Sequence, residues 1–158
     1  MDFDLRGLIR LRGLVPATGP MAVVEREFPE RTDLIAIPTS HLKRLHVLGG
    51  VTSRHLPDAG VVVMRLIWRY TDGIEHKTPV FYGQQLRNWW SHWDPKSDVA
   101  VGRVVWTGSS PATARLGGQL RLYHFTLDNP RPEVAVASLQ WVGDLSRNPP
   151  FVVAMTVE

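Results

Sequence analysis

The chain has 158 residues, of which 44% are hydrophobic and 21% charged. This is ordinary globular usage, which argues against disorder, collagen and coiled coil and points to one domain over residues 1–158 with its own core. Lys and Arg number 18 against 15 Asp and Glu, a net charge of +3; the bases are scattered and leave no nucleic-acid footprint. The absence of Cys removes disulfides, iron–sulfur clusters, thiolate zinc sites and cysteine nucleophiles together.

The N-terminus, Met1-Asp2-Phe3-Asp4, is acidic and lacks the basic-then-apolar layout of a signal peptide. A cytoplasmic location is expected if the chain is complete, and a periplasmic or cell-surface one if it belongs to a longer exported protein. The most apolar run, Val61 to Met64, is cut by Arg65, so membrane insertion is not expected.

Thirteen Gly and twelve Pro punctuate the chain, and few uninterrupted stretches reach the length of an average helix. Between the breaks lie short runs rich in Val, Leu, Ile and aromatics. In chain order the expected strands are Leu5–Leu11, Asp33–Ile37, Arg44–Leu48, Val61–Tyr70, Ile74–Val80, Val99–Trp106, Gln119–Phe125, Glu133–Trp141 and Phe151–Val157. Period-two alternation is clearest in the last three. It sets Leu120 and Leu122 against Arg121 and Tyr123. It groups Ala135, Ala137, Leu139 and Trp141 on one face, and Phe151, Val153, Met155 and Val157 on another. Asp72-Gly73 marks a hairpin, because the glycine takes the positive φ that a tight turn requires. One helix is expected, within Gly83–His92, where Leu86, Trp89 and Trp90 stand at i, i+3 and i+4. About nine strands and one short helix predict an all-β, antiparallel β-sandwich or barrel.

A nucleophile elbow, a phosphate-binding glycine loop and a His-Glu-x-x-His motif are all absent from the sequence. The six His are dispersed, and no pair of carboxylates is singled out by spacing for glycoside hydrolysis. The expectation is no enzyme activity, no metal and no cofactor. The feature that stands out is aromatic: three of the six Trp, Trp89, Trp90 and Trp93, fall within five positions. Indole stacks on the apolar C–H faces of sugar rings, and neighbouring polar groups fix hydroxyl orientation. Trp93, Asn88 and His92 are the preferred contacts, with Asp94 and Trp89 beside them. Trp90, on the apolar stripe with Leu86, is read as core, and Trp68, Trp106 and Trp141 as structural.

The order of several motifs carries a resemblance. Arg44-Leu45-His46-Val47-Leu48 is followed by Tyr70-Thr71-Asp72-Gly73, Thr78-Pro79-Val80-Phe81-Tyr82-Gly83 and Leu86-Arg87-Asn88-Trp89-Trp90. Val105-Trp106-Thr107-Gly108, Arg121-Leu122-Tyr123 and Asn129-Pro130-Arg131-Pro132-Glu133-Val134 come next, and the run from Pro150 to Glu158 ends the chain. From Phe3 to Glu158 this resembles a galactose-binding-like jelly-roll domain of environmental bacteria. Such domains occur at the C-terminus of glycoside-hydrolase-like proteins, FecR-like regulators and uncharacterised surface proteins. The resemblance implies a jelly-roll sandwich and, more remotely, sugar binding. The chain departs from the pattern at Gln85, Asn88 and Gln140, where acids are usual, and at Gly49, where a second His is usual. Those acids either bind a cation or sugar hydroxyls elsewhere, or make structural hydrogen bonds that amides can replace.

The resulting expectation is a non-catalytic ligand-binding module, with carbohydrate as the expected partner. The alternative is a structural or protein-interaction domain that self-associates through sheet edges or loops.

Overall fold

The computed structural model describes residues 7–14, 19–37, 41–53 and 59–158. Among these described residues, nine strands form two antiparallel sheets. In chain order they are β1 (Ile9–Arg10), β2 (Ile35–Ala36), β3 (Arg44–Val51), β4 (Val62–Tyr70), β5 (Glu75–Phe81), β6 (Arg103–Gly108), β7 (Leu120–Asp128), β8 (Val136–Gly143) and β9 (Pro150–Val157). The five-stranded sheet runs β1-β9-β3-β7-β6, and the four-stranded sheet runs β2-β8-β4-β5. The all-β antiparallel sandwich is therefore as expected. Of the first expected strand, Leu5 and Arg6 lie outside the described residues, and only Ile9 and Arg10 are paired with β9.

The helices fall elsewhere than expected. Gly83–His92 is not helical. Among the described residues the helices are α1 (Pro20–Arg26) and α2 (Pro111–Arg115), each starting at the proline that closes a Gly- and Pro-marked break. Each begins with proline at its first position, where the missing N–H costs nothing. In α2, Ser110 and Thr113 form a reciprocal capping box that satisfies two of the orphan donors.

The core lies between the sheets. Leu45 and Val47 of β3 and Phe125 and Leu127 of β7 face Leu66 and Trp68 of β4 and Leu139 and Trp141 of β8, all at most 3% exposed. The Trp141 indole N–H donates to Met155 Sδ at 3.0 Å, and that of Trp68 donates to Thr78 Oγ1 at 2.9 Å, so both large rings are buried with their polar atoms satisfied. Alternation in β7 turns Arg121 and Tyr123 inward, at 4% and 0% exposure, and leaves Leu122 half-buried outside.

Bulges revise two expected faces. The β3–β9 register shifts between Leu48 and Gly49, so Met155 pairs with Val47 and Val152 with Gly49, while Phe151 pairs with Gly50 on the other face. The β4–β8 register shifts between Arg69 and Tyr70, and Val136 is buried while Ala137 is exposed. One extra residue reverses the parity of everything beyond it. At the β4–β5 hairpin, Gly73 has φ +85°. Its N–H donates to Tyr70 O at 3.0 Å, and Tyr70 N–H donates to Ile74 O at 3.0 Å. This is a three-residue loop with a left-handed glycine, the commonest such hairpin after the two-residue type.

Candidate functional site

The segment 82–102 crosses from the four-stranded sheet to the five-stranded one. Gly83, at φ +80°, turns the chain immediately after Tyr82, and Leu86 returns to the core at 0% exposure. The segment then enters the five-stranded sheet between the diverging ends of β3 and β7. Asn88 bridges Val51 in parallel and Trp90 bridges Leu120 antiparallel. Trp89 N–H donates to Val51 O at 3.0 Å, Arg121 N–H to Trp89 O at 2.7 Å, and Ser91 N–H to Gln119 O at 2.9 Å. Neighbouring strands thus engage backbone groups that a helix would have bonded within itself. The helical spacing of Leu86, Trp89 and Trp90 is overridden by this wedge, and the segment closes in a turn where Trp93 and Asp94 N–H groups donate to Trp90 O.

Beneath the wedge lies a buried polar network. The Asp94 carboxylate is 0% exposed. It accepts from the Tyr82 hydroxyl, from Arg87 Nη1 at 3.0 Å and from Lys96 N–H at 3.1 Å. Arg121 donates to Asn88 O at 2.9 Å through Nε and to Asp94 O at 2.5 Å through Nη2. Asn88, also 0% exposed, donates from Nδ2 to Ser53 O at 2.7 Å and accepts from Trp90 N–H at 3.0 Å. Burial pulls the Arg87 pKa down, but its contact with the Asp94 carboxylate outweighs this and leaves it raised.

Asn88 and Asp94, expected as ligand contacts, are therefore interior groups whose polar atoms are committed within the chain. A charge this deep requires such partners. What faces outward is the aromatic turn above them. Trp90, His92 and Trp93 pack on one another with ring centroids 5.3, 6.1 and 4.9 Å apart, the two Trp93 contacts being edge-to-face at 84° and 83°. His92 is exposed, and Trp90 and Trp93 are half-buried. Trp90 is thus not a core residue. It seats against Gly118, where a Cβ would stand 2.6 Å from its Nε1. Trp89 is half-buried and meets Phe151 edge-on at 5.8 Å.

The departures from the resembling family also find partners. Gln85 Oε1 accepts from Phe81 N–H at 2.9 Å, and Gln140 Nε2 donates to Thr32 O at 2.7 Å. At Gly49 a Cβ would collide with the Phe151 carbonyl, so this backbone has no room for a histidine there. Sequence reasoning missed Tyr82, Arg87, Arg121 and Tyr123. The available signal was Arg121, the one charge alternating with Tyr123, Phe125 and Leu127 along β7.

Burial, helped at Tyr82 by the hydrogen bond to Asp94, raises the pKa of Tyr82 above its ordinary value; burial pushes Tyr123 up to about 12 and also raises Tyr70. These are the three tyrosines of the chain. A raised folded-state pKa means stability that is full below the unfolded value near 10 and lost as pH rises through the folded values. A spectrophotometric titration should therefore show phenolate absorbance lagging behind free tyrosine, with the fold lost as it appears. A reversible transition of one tyrosine at its free pKa in the folded protein would contradict this.

Comparison with protein-family models, with curated proteins and with solved structures finds no match in any of the three. Among the described residues, no helix is long and apolar enough to cross a membrane.

Proposed function

We propose that this chain is a non-catalytic ligand-binding module whose ligand is a carbohydrate, taken up on the turn formed by Trp90, His92 and Trp93, with Trp89 at its margin. One observation carries the reading: aromatic rings are held at the surface by a base that cannot easily move. Arg121, Asn88 and Asp94 fix the backbone beneath the rings, so ordering entropy is already lost before a ligand arrives. Half-buried indoles offer an apolar face, which suits the C–H face of a pyranose ring. Sites of this kind commonly sit on loops braced by a sandwich, and the resemblance to galactose-binding-like domains points the same way.

Trp93→Ala is the discriminating variant. Trp93 stands at the end of the wedge with part of its surface in solvent, so its loss should lower Tm by only about 2–4 °C. Binding, followed by tryptophan fluorescence against a sugar panel, should disappear. A folded wild-type protein that gives no response to millimolar sugars would overturn the proposal.

A further inference from the structure

The outer face of the five-stranded sheet carries a second group of side chains away from the turn. Register pairs Arg103 with His124 and Trp106 with Leu122. Since Arg121 and Tyr123 point into the core, these four share the outer face. Trp106 was read as structural, yet it is 49% exposed. Its indole lies over Gly108: a Cβ at that position would collide with the ring at Cη2 and Cζ2. Glycine there lets the ring lie down along the sheet as a platform.

The charge beside this platform is Arg103, the register partner of His124. Acids on the same face are engaged at its far end, where Arg44 pairs with Asp128 at 2.6 Å and His46 faces Glu158 at 3.1 Å. Asp128 is four residues from His124 along β7, about 13 Å away. Arg103 is exposed, and none of the ion pairs among the described residues includes it. Burial, His46 and Arg103 hold His124 below the ordinary histidine pKa. His46 and His124 stack at 5.4 Å.

We propose that this face binds an acidic saccharide, a hexuronate unit of a glycan, with its ring stacked on Trp106 and its carboxylate on Arg103. Leu122 and His124, the partners of those two residues, are two positions apart on β7, about 7 Å between backbones, which sets Arg103 and Trp106 at successive outward positions of one face. Aromatic stacking supplies an apolar contact, and a guanidinium outside the ion pairs of the described residues selects the charge. The inference rests on the carbohydrate reading above and adds to it the chemical class of ligand and a second surface.

The test is calorimetric titration with oligomers of galacturonate, glucuronate and mannuronate, each beside its carboxyl-reduced neutral counterpart. At least one acidic oligomer should bind roughly tenfold tighter than its neutral form, with the difference shrinking at high salt. Trp106→Ala and Arg103→Gln should each remove that preference while leaving Tm unchanged. Gly108→Ala should weaken binding without deleting any contact group, because it lifts the ring. Equal affinity for acidic and reduced oligomers, or a preference that survives Trp106→Ala, overturns this inference and leaves the carbohydrate reading standing. Failure of both forms to bind overturns this inference, while the carbohydrate reading is decided by the sugar panel. A dimer in light scattering that Trp106→Ala dissociates would assign the face to a second copy of the chain and also overturn it.

Discussion

Asp94→Ala is expected to destabilise the protein by about 3–5 kcal/mol, the cost of removing one partner from a buried ion pair. Arg87, its guanidinium 3.0 Å from the carboxylate and its side chain only 13% exposed, would be left as a nearly buried charge without its partner. The Tyr82 hydroxyl would lose its acceptor. Against a total stability of about 5–15 kcal/mol, this lowers Tm by roughly 10 °C or more. Asp94→Asn keeps the size and part of the hydrogen bonding, and should fall between wild type and alanine. Urea denaturation of the three proteins checks the order. An alanine variant within about 2 °C of wild type would mean that the network relaxes around the gap.

The strands were legible because their signals are local. Alternation in β7, β8 and β9, and turn residues such as Asp72 and Gly73, need no knowledge of distant partners. Bulges were not legible, and they decide which side chains are displayed. In β6 the register shifts between Val104 and Trp106, so simple parity through Val105 misplaces the indole. Nothing in a strand pattern says that β6 lies at a sheet edge, with its outer face uncovered. The wedge was hidden for a different reason: residues 87–91 pair with Val51 and Leu120, both far away in sequence, and that tertiary pairing overrode a helical spacing. Trp93 could be placed in a loop because it precedes Asp94 and Pro95, and it is half-buried there, whereas His92 was read as a polar neighbour of the rings and is exposed. Asn88 and Asp94 were found as polar neighbours of those rings, but their depth was not visible, since the sequence does not show Arg121 arriving from β7.

The sheet edges bear on the self-association alternative. β5, at one edge of the four-stranded sheet, presents Glu75, His76 and Lys77, all exposed. β6, at one edge of the five-stranded sheet, is interrupted by its bulge. Charges and bulges are the usual means by which an edge is kept from pairing with another chain. These features argue against assembly through the edges of β5 and β6; among the tryptophans Trp106 is exposed, and Trp89, Trp90 and Trp93 are half-buried.

Arg121→Leu should separate the platform from the fold. Leucine retains part of the volume, so little cavity is left in β7, but the carbonyls of Asn88 and Asp94 both lose their donor. A hydrogen bond to a charged group contributes about 1.5–3 kcal/mol, so the pair together stabilises the native state by roughly 3–6 kcal/mol. Arg121→Lys should recover only part of this, because one ammonium on a flexible stem cannot span two carbonyls as the planar guanidinium does. The strands remain held by the apolar core, so the lysine variant should fold. Its wedge should be loosened at the Asn88 and Asp94 carbonyls, the points that hold Trp89, Trp90 and Trp93 in register. Sugar binding should then fall more steeply than Tm across wild type, lysine and leucine. Amide hydrogen exchange checks the mechanism directly: protection at Trp89 and Ser91 should drop while that of Leu66 and Trp141 holds. Equal loss of protection in both places would mean that Arg121 supports the whole sandwich, and that the aromatic turn is no more than part of its core.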